Sequence, residues 1–101
     1  MVIAVDFDGT IVDADGNALS GARDAINLLR EQGHKIVIHS CNRADYIKQV
    51  LNNADIRFDS IWTKEGKPVA SLYIDDRGYK FVTWEGVIAD VIPTSTETTA
   101  I

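Results

Sequence analysis

The segment that most constrains the fold is MVIAVDFDGT at the start of the sequence, because it joins an apolar run to two acids. Residues 2–5 are apolar and rich in β-branched side chains, which predicts a central strand of a parallel sheet buried on both faces. Asp6 and Asp8 follow at positions i and i+2, so an extended backbone points both carboxylates to the same side. Carboxylates at the end of a buried strand require a cation, a basic residue or protonation. We therefore expect partners for this pair elsewhere in the chain.

Composition limits the classes of protein to which the chain can belong. Its 101 residues, 46% of them hydrophobic, fit a single domain, with a core over residues 1–92 and a flexible tail over 93–101. A net charge of -5 disfavours nucleic acid and anionic membranes as partners. Cys41 is the only cysteine, which excludes an internal disulfide. With no membrane-length apolar run and no secretory signal, the sequence predicts a soluble cytoplasmic protein.

Apolar spacing and turn residues predict the order of helices and strands. The D-G-N sequence at 15–17 favours a hairpin flap after the first strand. Ser20 is the expected N-cap of a first amphipathic helix that stops at Gly33, and a second helix is expected over 43–53. Further strands are predicted at 35–39, 58–63, 71–74 and 80–83, and residues 84–91 are interpreted as a helix or an edge segment.

Polar side chains follow three of the predicted strands where each strand ends. Alternating strands and helices predict an α/β fold with right-handed crossovers, in which ligands bind at the carboxyl ends of the strands. The groups at those ends are Asp6 with Asp8, then Ser40, then Asp75 with Asp76. We expect them to converge on one site.

In these features the sequence resembles the haloacid dehalogenase superfamily of phosphohydrolases. The D-x-D-G-T opening, a strand-terminal serine, a lysine and an acid pair occur in the family's order between residues 1 and 76. The resemblance implies a three-layer, Rossmann-like, mostly parallel sheet with a small hairpin flap. Residues 9–39 and 41–66 leave no room for the family's cap modules, so the chain resembles a minimal, capless member.

The resemblance assigns catalytic roles. Asp6 would attack phosphorus and form an aspartyl-phosphate. Asp8 would protonate the leaving group and later deprotonate the hydrolytic water. The family's lysine is matched by Lys67, which lies just before the segment that leads into the acid-pair strand, with Lys64 as the alternative.

Metal and substrate ligands follow from the same resemblance. Mg²⁺ would be held by Asp6, the backbone carbonyl of Asp8, and Asp75 or Asp76. Four carboxylates and one lysine would give the site an excess of negative charge. This excess alone predicts that the site depends on a metal ion. The residues expected to contact the phosphate or the rest of the substrate are Ser40, Cys41, Asn42, Arg43, Gly9 and Thr10, partly through N–H groups at a helix start.

Several simpler or different interpretations remain open. Ser40 could cap the second helix, Arg43 could be a solvated first-turn residue, and His34 and His39 are interpreted as structural. A cysteine phosphatase is not supported, because Ile47 stands where the arginine six positions after Cys41 would be. No G-x-x-x-x-G-K nucleotide loop occurs.

Two alternative functions use the same kind of site. A phospho-acceptor signalling module places its acid pair after the first strand, an order that this chain does not follow. A non-catalytic Mg²⁺- and phosphate-binding domain would have no need of Asp8. The substrate is a phosphorylated molecule of unspecified size, with nucleotides, sugar phosphates, phosphoproteins and nucleic-acid ends among the candidates. Capless relatives act on large substrates or close their sites by oligomerising, so a homo-oligomer is one expectation.

Overall fold

The computed structural model describes residues 1–64, 66, 68–75, 79–80 and 83–91. Strands and helices alternate over most of this part of the chain, which confirms an α/β fold. In chain order the elements are β1 (Val2–Asp6), α1 (Ala22–Glu31), β2 (Lys35–His39), α2 (Ala44–Asn53), β3 (Ser60–Trp62), β4 (Leu72–Asp75), β5 (Tyr79–Lys80) and α3 (Trp84–Val91).

The described strands form one parallel sheet in the order β3-β2-β1-β4-β5. β1 therefore lies in the centre, as its apolar, β-branched sequence predicts. Its residues pair with β2 from Val2↔Lys35 to Asp6↔His39, and with β4 up to Val5↔Ile74. The carboxyl ends of β1, β2 and β4 consequently meet at one edge of the sheet, and the Rossmann-like prediction is confirmed.

A single apolar cluster joins one face of the sheet to the described helices. Alternate residues of β1 and β2 point into this cluster and are fully buried. The largest members are Ile3, Val5, Phe7, Ile11, Ile36, Ile38 and Ile74 from the sheet and its turns, and Ile26, Leu29, Ile47, Leu51 and Trp84 from the helices. On the opposite face, the Tyr73 hydroxyl donates a hydrogen bond to the carbonyl of buried Pro68.

The expected hairpin flap is present. Val12 and Ala18 pair antiparallel, and the side chain of Asp13 accepts the N–H groups of Asp15 and Asn17 at 2.9 and 3.0 Å. The flap approaches α2, because a Cβ placed on Gly16 would lie 3.0 Å from the Tyr46 hydroxyl. The hairpin is therefore an ordered turn beside α2.

Several element boundaries differ from prediction for local reasons. Gly21, with φ of 84°, occupies the N-cap of α1, so the prediction of Ser20 was wrong. β3 is shorter than predicted, because the side chain of Asp59 accepts the Ile36 N–H at 2.8 Å just before the strand begins. Thr83 was predicted to end a strand, but its hydroxyl accepts the Gly86 N–H at 3.1 Å and thereby caps α3.

The segment 84–91 is a helix, which settles the choice between a helix and an edge segment. The predicted tail at 93–101 lies outside the described residues, as do residues 81–82 of the predicted last strand. Among the helices that are described, none is both long and apolar enough to span a bilayer.

Candidate active site

β1 and the turn after it present the two N-terminal acids. Phe7 lies between them and is fully buried, so it anchors the turn in the core. The Phe7 N–H donates to the His39 carbonyl at 3.1 Å, and the Phe7 carbonyl accepts the N–H groups of Ile11 and Val12. The chain then turns through Gly9, whose φ of 78° is a conformation that side chains with a Cβ rarely adopt. This turn fixes where Asp8 emerges.

Asp6 is half-buried at the end of β1, and its environment disfavours ionisation. Burial raises the pKa of its carboxyl above the ordinary value of 3.8, and the negative charges of Asp75 and Asp8 add to that rise. The charge of His39 and a hydrogen bond from the Phe7 N–H oppose it but do not cancel it. A positive charge near Asp6, in addition to that of His39, would favour the ionised carboxylate.

Asp8 is exposed but makes three close contacts. The side-chain nitrogen of Asn42 lies 3.0 Å from each of its carboxylate oxygens. The Ser40 hydroxyl donates to Oδ2 of Asp8 at 3.3 Å. The structure therefore brings residues from the β1 turn and the β2 end together, as predicted from their positions after two strands.

Ser40 is almost fully buried, with 5% of its surface exposed. Its hydroxyl accepts the Asn42 N–H at 3.0 Å, and its own N–H donates to the Trp62 carbonyl at 3.3 Å. Arg43 rather than Ser40 occupies the N-cap of α2, and it makes no side-chain capping bond. The capping interpretation of Ser40 was therefore wrong, and the hydroxyl instead faces the acids.

Asp75 ends β4 and is 6% exposed. It follows Ile74, which pairs with Val5, so it lies beside Asp6 at the same edge of the sheet. Its charge is one of the causes of the raised pKa of Asp6, as expected for two neighbouring carboxylates. Two neighbouring carboxylates and a nearby backbone carbonyl form a donor set of hard oxygens.

This donor set fits Mg²⁺. Within the described ranges, no three His, Cys, Asp or Glu side chains form a metal-binding group. Mg²⁺ does not require such a group, because it commonly keeps several waters and takes only one or two protein carboxylates. Asp6 and Asp75 would supply those carboxylates, and the Asp8 carbonyl would supply a third oxygen. The predicted ligand Asp76 lies outside the described residues.

The other predicted site residues lie in different environments, some exposed and one buried. Gly9 and Cys41, which directly follow Asp8 and Ser40, are exposed, whereas Thr10 is buried and its carbonyl accepts the indole N–H of Trp84 at 2.9 Å. Arg43 is exposed and pairs with Asp45 at 2.9 Å.

The predicted lysine, Lys67, lies outside the described residues. The ammonium of the alternative, Lys64, lies 5.6 Å from the centroid of the Trp62 ring, after the edge strand β3. Lys67 therefore stays a prediction.

Sequence reasoning missed three contributions to the site. His39 was interpreted as structural, yet its charge acts on Asp6, with which it pairs in the sheet. Its position as the last residue before Ser40 is a signal that could have identified it. Asn42 was assigned to the substrate but contacts Asp8. The Trp84 indole bonds to the turn that carries Asp8 from 74 residues away, and no local pattern indicates such a contact.

Comparison with known proteins agrees with this arrangement. A family model described as haloacid dehalogenase-like hydrolase matches residues 3–78. A conserved protein from Bacteroides thetaiotaomicron has a similar fold, with a TM-score of 0.72 and 24% sequence identity. That similarity covers 98% of this chain and 97% of the other. No curated protein matches the sequence.

Proposed function

Because the chain belongs to the haloacid dehalogenase-like hydrolase family, we propose that it is a Mg²⁺-dependent phosphatase that hydrolyses phosphomonoesters through an aspartyl-phosphate. The observation that carries the proposal is the convergence of Asp6, Asp8, Ser40 and Asp75 at the carboxyl ends of three adjacent strands. Each has the chemical type that one part of the reaction needs.

In the first half of the reaction, an Asp6 oxygen attacks phosphorus in line with the leaving oxygen. A bond forms between phosphorus and Asp6, the ester P–O bond breaks, and Asp8 gives its proton to the departing alkoxide. In the second half, Asp8 takes a proton from water as that water attacks phosphorus. The bond to Asp6 then breaks and releases inorganic phosphate.

The site also offers groups that hold the phosphoryl oxygens. Ser40 has a hydroxyl that would turn from Asp8 to a phosphoryl oxygen when substrate binds. Arg43, the N-cap residue of α2, makes no side-chain capping bond, although the Tyr46 N–H donates to Asp45 Oδ1, and a helix N-terminus favours anions. Mg²⁺ held by Asp6, Asp75 and the Asp8 carbonyl would supply the charge that lets a carboxylate approach a phosphate. Lys67 would add a fixed positive charge.

The first experiment measures turnover of p-nitrophenyl phosphate by the native chain with Mg²⁺ and with chelator. We expect metal-dependent turnover that falls by about 10³-fold or more in Asp6→Asn, because the nucleophile is lost. Asp24→Asn is the matched control, since Asp24 is exposed on α1 and, among the described residues, pairs only with its neighbour Arg23.

Two outcomes would contradict the proposal in different ways. Full activity in Asp6→Asn would remove Asp6 as the nucleophile. Absence of metal-dependent turnover over a broad set of phosphomonoesters would favour a binding module of the same fold.

A further inference from the structure

The carboxylate of Asp8 is held in place although it is exposed. An exposed aspartate ordinarily samples several rotamers, and each rotamer directs its oxygens differently. Here Asn42 Nδ2 lies 3.0 Å from both oxygens, and Ser40 adds a third contact to Oδ2. An ionised carboxylate only accepts hydrogen bonds, so the amide must present its NH₂ group rather than its oxygen.

Asn42 is itself fixed to a rigid part of the sheet. Its backbone N–H donates to the Ser40 hydroxyl, and Ser40 is buried at the end of β2. The backbone of Ser40 is in turn bound to Trp62 at the end of β3. The amide that contacts Asp8 therefore projects from a backbone that two strands hold.

A role in binding the substrate explains the orientation of the Asn42 amide less well than contact with Asp8 does. The NH₂ group faces Asp8, and the remaining amide oxygen is an acceptor that offers no hydrogen to a phosphoryl oxygen. Proton transfer, by contrast, depends strongly on the orientation of the acid.

We propose that Asn42 is a positioning residue, which holds the Asp8 carboxylate in the orientation for proton transfer to the leaving group. This inference rests on the proposed function. Oδ2 of Asp8 accepts from both Ser40 and Asn42, whereas Oδ1 accepts from Asn42 alone among the described contacts. Once the Ser40 hydroxyl turns to the phosphoryl group, Asn42 is the described contact that still holds both oxygens of Asp8.

The kinetic test compares Asn42→Ala on an alkyl phosphate and on p-nitrophenyl phosphate. Loss of orientation should lower kcat for the alkyl phosphate by about 10- to 100-fold, part of what a general acid contributes. The loss should be smaller for p-nitrophenyl phosphate, whose leaving group needs little protonation, and KM should change little for either. Asn52→Ala, an exposed site farther along α2, is the matched control and should behave as the native chain.

A double variant separates positioning from general damage. In an Asp8→Asn background, Asn42→Ala should cost less than about 2-fold in kcat, because there is no acid left to orient. Three results would each overturn the inference. They are equal losses of kcat on both substrates, a rise in KM at unchanged kcat, and additive losses in the double variant.

A measurement without turnover distinguishes this inference from the proposed function. Three-bond NMR couplings should give one χ1 rotamer for Asp8 in the native chain and averaged rotamers in Asn42→Ala. Averaging in an active native chain would overturn the positioning role alone. A native chain without any phosphatase turnover would overturn the proposed function, and with it the role of Asn42 in proton transfer.

Discussion

At the scale of single residues, Asp6 illustrates a conflict between function and stability. A carboxylate at this position suits the proposed nucleophilic attack, but its partial burial opposes folding. Its pKa is raised by burial, then by the charges of Asp75 and Asp8. A carboxyl with a raised pKa holds its proton more tightly in the folded state than in the unfolded chain. The contribution of Asp6 to the free energy of unfolding of the metal-free protein therefore decreases as the pH rises from 3.8 through the folded pKa of Asp6.

Asp6→Asn removes this cost and should stabilise the metal-free protein at neutral pH by roughly 0.5–2 kcal/mol, as is common when a functional site is altered. Urea unfolding with chelator measures the effect, and the difference should disappear near about pH 3, where the native carboxyl is protonated. Asp24→Asn is the control and should change stability little at either pH. A less stable Asp6→Asn at neutral pH would contradict the expectation.

The sequence allowed Asp6, Asp8, Ser40 and Asp75 to be predicted because each follows a recognisable strand, and parallel strands end at one edge. Their hydrogen bonds were less predictable. The direction of the Asn42 amide depends on backbone that β2 and β3 fix jointly, which no local spacing encodes.

At the scale of elements, α1 and α2 end in the same way with different residues. His34 donates to the Leu29 carbonyl after α1, and Ile56 donates to the Leu51 carbonyl after α2. Both ends need a residue with positive φ, which is Gly33 at 91° and Asp55 at 58°. The first was predicted from its glycine, but an aspartate in this conformation gives no comparable signal.

Gly33→Ala should lower the free energy of unfolding by about 1–2 kcal/mol, the cost of the left-handed conformation for a residue with Cβ. Apart from its chain neighbours, no atom of the described residues lies within 4 Å of the added Cβ, so the loss would come from the backbone rather than from a clash. Asp55→Gly is the companion variant and should not destabilise in the same way. Thermal unfolding measures both, and an unchanged midpoint for Gly33→Ala would contradict this account of the helix end.

At the scale of the whole molecule, the last described helix supports the first turn. Trp84 begins α3 and is 1% exposed, and its indole N–H donates to the Thr10 carbonyl. This contact spans most of the described chain. The sequence could not predict which backbone group the indole meets, because the contact joins residues 74 positions apart.

Trp84→Phe keeps an aromatic ring but leaves the buried Thr10 carbonyl without this donor. We expect the free energy of unfolding to fall by about 1–3 kcal/mol, and turnover to fall as the turn carrying Asp8 loosens. Trp62→Phe is the matched control, because the Trp62 indole donates to Gly66 at a more exposed site. Urea unfolding and p-nitrophenyl phosphate turnover measure both variants. Equal effects at the two positions would contradict a special role for Trp84.

The central place of β1 also determines when the site can exist during synthesis. β1 is made first, yet its partners on the two sides are β2, at 35–39, and β4, at 72–75. A nascent chain that has not yet released β4 from the ribosome has Asp6 but lacks Asp75 beside it. The two carboxylates whose repulsion opposes folding therefore meet only after β4 has emerged, when β1, β2 and β3 are already available to hold them together.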